Sequence, residues 1–101
     1  MISMNRLPKF SLGQIVATPG ALEALNKSGQ APAEFLARHN AADWGDVCEE
    51  DRRLNDEALV NGSRLLSAYI LKTGERLWLI TEAQDDNGHR AATTLLLSTE
   101  Y

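Results

Sequence analysis

Residues 64–82 read RLLSAYILKTGERLWLITE. Two runs of bulky residues flank Lys72-Thr73-Gly74-Glu75, a short polar break with one glycine. That pattern predicts a β-hairpin. A further run over 91–97 (AATTLLL) predicts a third antiparallel strand. In the first strand Leu66, Ala68 and Ile70 point one way, and Leu65, Ser67, Tyr69 and Leu71 the other. In the second, Leu77, Leu79 and Thr81 oppose Trp78, Ile80 and Glu82. Both faces are therefore partly apolar, whereas a sheet with one wet face alternates more cleanly. Either helices cover both faces or one face meets a partner.

Working outward, residues 10–17 (FSLGQIVA) predict a short strand. Thr18 is placed to cap a helix over 20–26 that opens on Pro19, where the missing N–H does no harm. Leu22 and Leu25 share its face, and Ser28-Gly29 closes it. A second helix spans 32–39, with Phe35, Leu36 and His39 on one side. Residues 40–45 (NAADWG) read as a loop. Asp46, with Glu49 three places on, reads as a capping box opening a helix over Glu49–Asn61. Leu54, Ala58 and Leu59 lie on one side of it, Asn55 is placed to turn inward, and Gly62 marks the stop. The expected fold is α+β: a short N-terminal strand, three helices, then a three-stranded antiparallel meander with the helices packed on the sheet. One domain spans 1–101, with 1–9 a loose lead-in.

The 101 residues are 44% hydrophobic and 24% charged, enough for one core. No run approaches the roughly 18 apolar residues of a membrane span. Residues 1–13 show no apolar run followed by a small-residue cleavage site, so no secretory signal is expected. A single cysteine, Cys48, forms no internal disulfide, and a reducing cytoplasm is the expected setting. A net charge of −4 argues against a phosphate-backbone binder.

His39, Asp43, Trp44, Asp46 and Cys48 lie close in sequence. A metal site on His39, Asp43 and Cys48 lacks a paired cysteine or a second histidine, so no metal and no cofactor are expected. The plainer reading is a helix-ending His, a Trp pinning a loop and a capping Asp. Cys48 with His39 or His89 would make a nucleophile and base, at a helix start of the kind that favours thiolate, yet no third group orients them. Asp46, Glu49, Glu50, Asp51, Asp56 and Glu57 against Arg52 and Arg53 make either an acidic docking face or a solvated helix face with pairs such as Glu49–Arg53. Arg64 and Arg90 are placed to pair with carboxylates of 43–51. Tyr101, following an apolar strand, suggests a docked end.

Several segments carry a resemblance together: LGQIVATPGALEAL (12–25), FLARH (35–39), DWGD (43–46), EEDRRLNDEAL (49–59), GSRLLSAY (62–69), LWLITEA (77–83) and TTLLLSTEY (93–101). They resemble a family of small plasmid-related proteins carried on plasmids and integrative conjugative elements. The turn at 84–90 is longer than in that family, and Ser98 stands where it has Pro. The resemblance supplies no mechanism and no catalytic residues. The two-sided apolar hairpin, the acidic 46–57 segment and the lack of a catalytic constellation lead to the expectation of a non-enzymatic accessory protein that binds a host or element-encoded protein; the mobile-element setting suggests interference in a host defence system as one use. The candidate partner surface is Tyr69, Trp78, Trp44, Glu49, Glu50 and Asp51. Two alternatives stand beside it: a small enzyme using Cys48 or the His39/Asp43/Asp46 cluster, and a structural homodimer joined through the sheet.

Overall fold

A computed structural model describes residues 7–101. The elements are β1 (Gln14–Ala17), α1 (Pro19–Ser28), α2 (Pro32–Asn40), α3 (Glu49–Asn61), β2 (Leu65–Ile70), β3 (Arg76–Thr81) and β4 (Ala92–Leu97), followed by a 3-10 turn at Ser98–Glu100. The fold is α+β. Most of the loose lead-in expected over 1–9 lies outside the described residues; of the remainder, Lys9 donates its backbone N–H to the Asn40 carbonyl at 2.8 Å.

The sheet differs from the three-stranded one expected. It is four-stranded and mixed, in the order β1-β4-β3-β2. The hairpin β2/β3 and the pair β3/β4 are antiparallel, while β1 lies parallel to β4. The physical reason is the outer edge of β4, whose backbone groups need partners once β3 has taken the inner ones. Gln14 donates to the Ala91 carbonyl and Thr18 to that of Leu95, so the first strand closes beside the last.

Register divides the side chains between two faces. Leu65, Ser67 and Tyr69 on β2 stand opposite Thr81, Leu79 and Leu77 on β3, which in turn face Thr93, Leu95 and Leu97 on β4. All three helices pack toward this face. Ala21, Ala24 and Leu25 of α1 and Phe35 of α2 join Tyr69, Leu71, Leu77, Leu79 and Leu95 in the main core. Ala58 of α3 joins Trp44 and Leu65 in a second cluster, extended by Phe10, Val47 and Leu59. Each large apolar side chain so buried contributes about 1.5–3 kcal/mol. The other face carries Leu66, Ala68, Ile70, Trp78, Ile80, Thr94 and Leu96.

Thr18 caps α1 by accepting from the Ala21 N–H at 3.0 Å. Its hydroxyl donates to Glu100 at 2.7 Å, and the same carboxylate accepts from the Leu97 N–H. These donors hold the Glu100 carboxyl below its ordinary pKa. The capping box expected from Asp46 does not form. Cys48 occupies the N-cap of α3, and its side chain makes no cap bond. Asp46 is held elsewhere: its N–H donates to the Ala68 carbonyl, and its carboxylate pairs with Arg76 at 2.9 Å.

Arg64 and Arg90 also miss the carboxylates expected for them. Arg64 reaches the Tyr101 hydroxyl at 3.1 Å. Arg90 is buried and donates to the carbonyls of Ser63, Glu82 and Ala58. Its cation thus lies at the C-terminal turn of α3, where the helix dipole favours positive charge and where the Ala58 carbonyl also accepts from the Gly62 N–H. Burial lowers its pKa from the ordinary arginine value.

Candidate interaction surface

Two surfaces of the sheet are closed by the chain itself, and two are not. The helical face is closed by the core. The β2 edge is closed by side chain and loop. Asn55 receives the Leu66 N–H on its Oδ1 at 3.0 Å and returns its own amide to the Leu66 carbonyl at 2.7 Å, standing in for a strand. Next along the edge, Ala68 donates to the Trp44 carbonyl and accepts from the Asp46 N–H. Gly45 makes that approach possible. Its φ is +77°, and a Cβ there would lie 2.1 Å from the Ala68 carbonyl oxygen.

The face opposite the helices is covered by no helix of the described residues. Its centre is Trp78, half-buried, with the Tyr101 ring at 5.2 Å. Around the pair lie Ile80, Leu96 and Ala68, which are buried, and Leu66, which is half-buried. Ile70 is 50% exposed at its rim, and Val16 of β1 is 42% exposed. Arg76 borders Ile70 across the hairpin and ties this rim to Asp46, just ahead of the first turn of α3. There Glu49 and Glu50 are exposed and Asp51 is half-buried. Glu50 pairs with Arg53 at 2.7 Å and Glu49 with Arg52 at 3.9 Å, rather than the Glu49–Arg53 pair expected.

The candidate residues from the sequence separate on this map. Trp78 lies on the open face, whereas Glu49, Glu50 and Asp51 form the first turn of α3, a helix that packs toward the other face. Trp44 and Tyr69 do not lie on the open face. Trp44 is 1% exposed and donates its indole N–H to Asp56 at 3.0 Å. Tyr69 is 2% exposed, donates its hydroxyl to the Asp43 carbonyl and lies under the Arg38 guanidinium. The cause is register: Tyr69 pairs with Leu77, so it takes the helical face and Trp78 takes the other.

Nor do the possible catalytic residues converge. Cys48 is exposed. Asp43 accepts from Arg38 at 2.8 Å, which raises the arginine pKa, and Asp46 turns to Arg76. His39 is fully buried and sits between Ser67 and Thr81. Among the described residues, no three His, Cys, Asp or Glu side chains are grouped to hold a metal ion.

The surroundings of His39 fix its protons. The Leu12 carbonyl can only accept, so Thr93 donates to it at 2.7 Å. Thr93 has then spent its one proton and accepts from Thr81 at 2.6 Å. Thr81 in turn accepts from His39 Nε2–H at 2.8 Å, leaving Nδ1 bare to accept from the Ser67 hydroxyl. The histidine is neutral. Burial first, then the Arg90 charge, pulls its pKa from 6.5 to about 3. Ser67 beside a histidine has the form of a nucleophile and base, but both are fully buried and out of reach of a substrate. The group instead ties α2 to β2, β3, β4 and the segment leading into β1.

Searches of the chain against family models, curated proteins and solved structures return no match.

Proposed function

We propose that this chain is a non-enzymatic interaction protein that docks on another protein through the open face of its sheet. The carrying observation is the face opposite α1–α3, which exposes Ile70 and Val16 at its rims and part of Trp78 and Leu66, with Ala68, Ile80 and Leu96 buried between them. Uncovered apolar area of this kind, bordered by polar residues, is characteristic of protein-binding surfaces. The chemistry of the partner follows from the border. Asp46, paired with Arg76 at the rim, leads in sequence into the acidic first turn of α3 (Glu49, Glu50 and Asp51), and the whole chain carries a net charge of −4. The fitting partner offers an apolar patch flanked by lysine or arginine. The resemblance to plasmid-related proteins points to a host or element-encoded protein as its source, and interference with a host defence system is the use that setting suggests.

A photo-crosslinking amino acid placed at Ile70, with a second at Val60 as control, tests the reading. Val60 is 90% exposed on the outer side of α3, away from the open face. In cells of the native host, position 70 should give one discrete adduct that position 60 does not. Equal labelling from both positions, or none from position 70, overturns the reading.

A further inference from the structure

The two edges of the sheet are built differently, and the difference has a consequence for self-association. In the parallel ladder, Gln14, Val16 and Thr18 turn their backbone groups toward β4. Ile15 and Ala17 turn theirs outward, and no described residue bonds to them. Ile15 is 45% exposed. Natural edge strands are usually blunted by charge, proline or a covering element. Here no charged residue stands between Lys9 and Glu23, and the strand itself holds no proline. The far edge, at β2, is the blunted one, closed by Asn55 and by residues 44–46.

We propose that β1 pairs antiparallel with β1 of a second copy of this chain, across a two-fold axis at Val16. The pairing is self-complementary. Ile15 exchanges both backbone bonds with Ala17 of the other copy, and Ala17 with its Ile15, giving four hydrogen bonds from the four groups that point outward on each strand. Val16 then meets its own counterpart on the open face, apolar against apolar, with no like charges opposed. Assembly stops at two, because the β2 edge of each copy has no free row to offer. A foreign extended segment would meet the same backbone groups, but nothing on β1 selects its charge, whereas about the Val16 axis the strand sets only uncharged residues against its own copy. The ladder is short and falls below the roughly 1,000 Å² of a standard stable interface, so the dimer is reversible and depends on concentration. The inference shares Val16 with the docking surface proposed above, and its tests read self-association rather than capture of a partner.

The test uses the whole chain. In a Cys48→Ser background, Val16→Cys places two thiols in a non-hydrogen-bonded antiparallel pair, with Cα atoms about 4.5 Å apart, inside disulfide range. Mild oxidation should give a covalent dimer, and Val60→Cys in the same background should give far less. Sedimentation of the unmodified chain should show a monomer–dimer equilibrium with no larger species, and Val16→Lys should remove the dimer while keeping the circular dichroism of the parent. A chain that stays monomeric at every concentration, species larger than two, or equal crosslinking from positions 16 and 60 overturns the proposal. So does a folded Val16→Lys variant that still dimerises.

Discussion

Acidification should weaken this fold through one residue, His39. In the folded chain its pKa is about 3, against 6.5 for an ordinary histidine. Between those values the unfolded chain binds a proton that the folded chain refuses. Stability from the neutral imidazole is therefore complete above pH ~6.5 and is lost as pH falls toward 3. At about pH 4.5 two of the intervening pH units have been crossed, a loss of ~2–3 kcal/mol. Burial accounts for most of the penalty and the Arg90 charge adds to it; a proton on Nδ1 would also make the Ser67 hydroxyl turn from donor to acceptor. Urea unfolding followed by tryptophan fluorescence suits the measurement, since Trp44 lies 5.8 Å from His39, ring to ring. His39→Gln is the control. Its amide can accept from Ser67 and donate to Thr81 without titrating, at a cost of ~1–2 kcal/mol at neutral pH from lost ring packing. The stability difference between parent and variant should shrink or reverse from pH 7 to 4.5. Parallel curves would refute the reasoning, because they would assign the acid sensitivity to groups common to both.

Three further outcomes follow from the same contacts. Asn55→Ala should cost ~2 kcal/mol in chemical denaturation, because it leaves the Leu66 N–H and carbonyl unpaired; it should also open the β2 edge and allow species larger than a dimer in sedimentation. Arg90→Met should lower stability by about 2 kcal/mol, roughly 1 for each of the Ser63 and Glu82 carbonyls that lose the guanidinium, since the Ala58 carbonyl keeps the Gly62 N–H, with faster hydrogen exchange at the end of α3. Arg76→Ala should change stability by less than ~1 kcal/mol in the same assay, since its pair with Asp46 is solvent-exposed.

Much of the architecture is written locally. Alternation and one glycine define the hairpin that becomes β2 and β3, and helical spacing with Gly62 bounds α3 at Glu49–Asn61. What escaped was non-local. The pattern Asp46 to Glu49 satisfies a capping rule within four residues, but the Ala68 carbonyl, distant in sequence, draws Asp46 into an extended bridge instead. The parallel pairing of β1 with β4 joins strands separated by all three helices, and no local periodicity encodes it. The candidate surface was half legible. The two-sided hairpin shows that both sheet faces are partly apolar, but leaves open whether helices cover both or one meets a partner. Which aromatic the open face holds was not legible, because Tyr69 and Trp78 were placed together when cross-strand register sets them on opposite faces. The buried group of His39, Ser67, Thr81 and Thr93 gave no sequence signal, as its members come from four separate elements.

The central claim is that the open face, rather than the outer side of α3, receives the partner. Hydroxyl-radical footprinting of the chain alone and with the captured partner tests it directly. Trp78, Ile70 and Tyr101 should react in the free chain and be protected in the complex, while Val60 reacts equally in both. Protection centred on Val60, with Trp78 and Ile70 unchanged, would contradict the account.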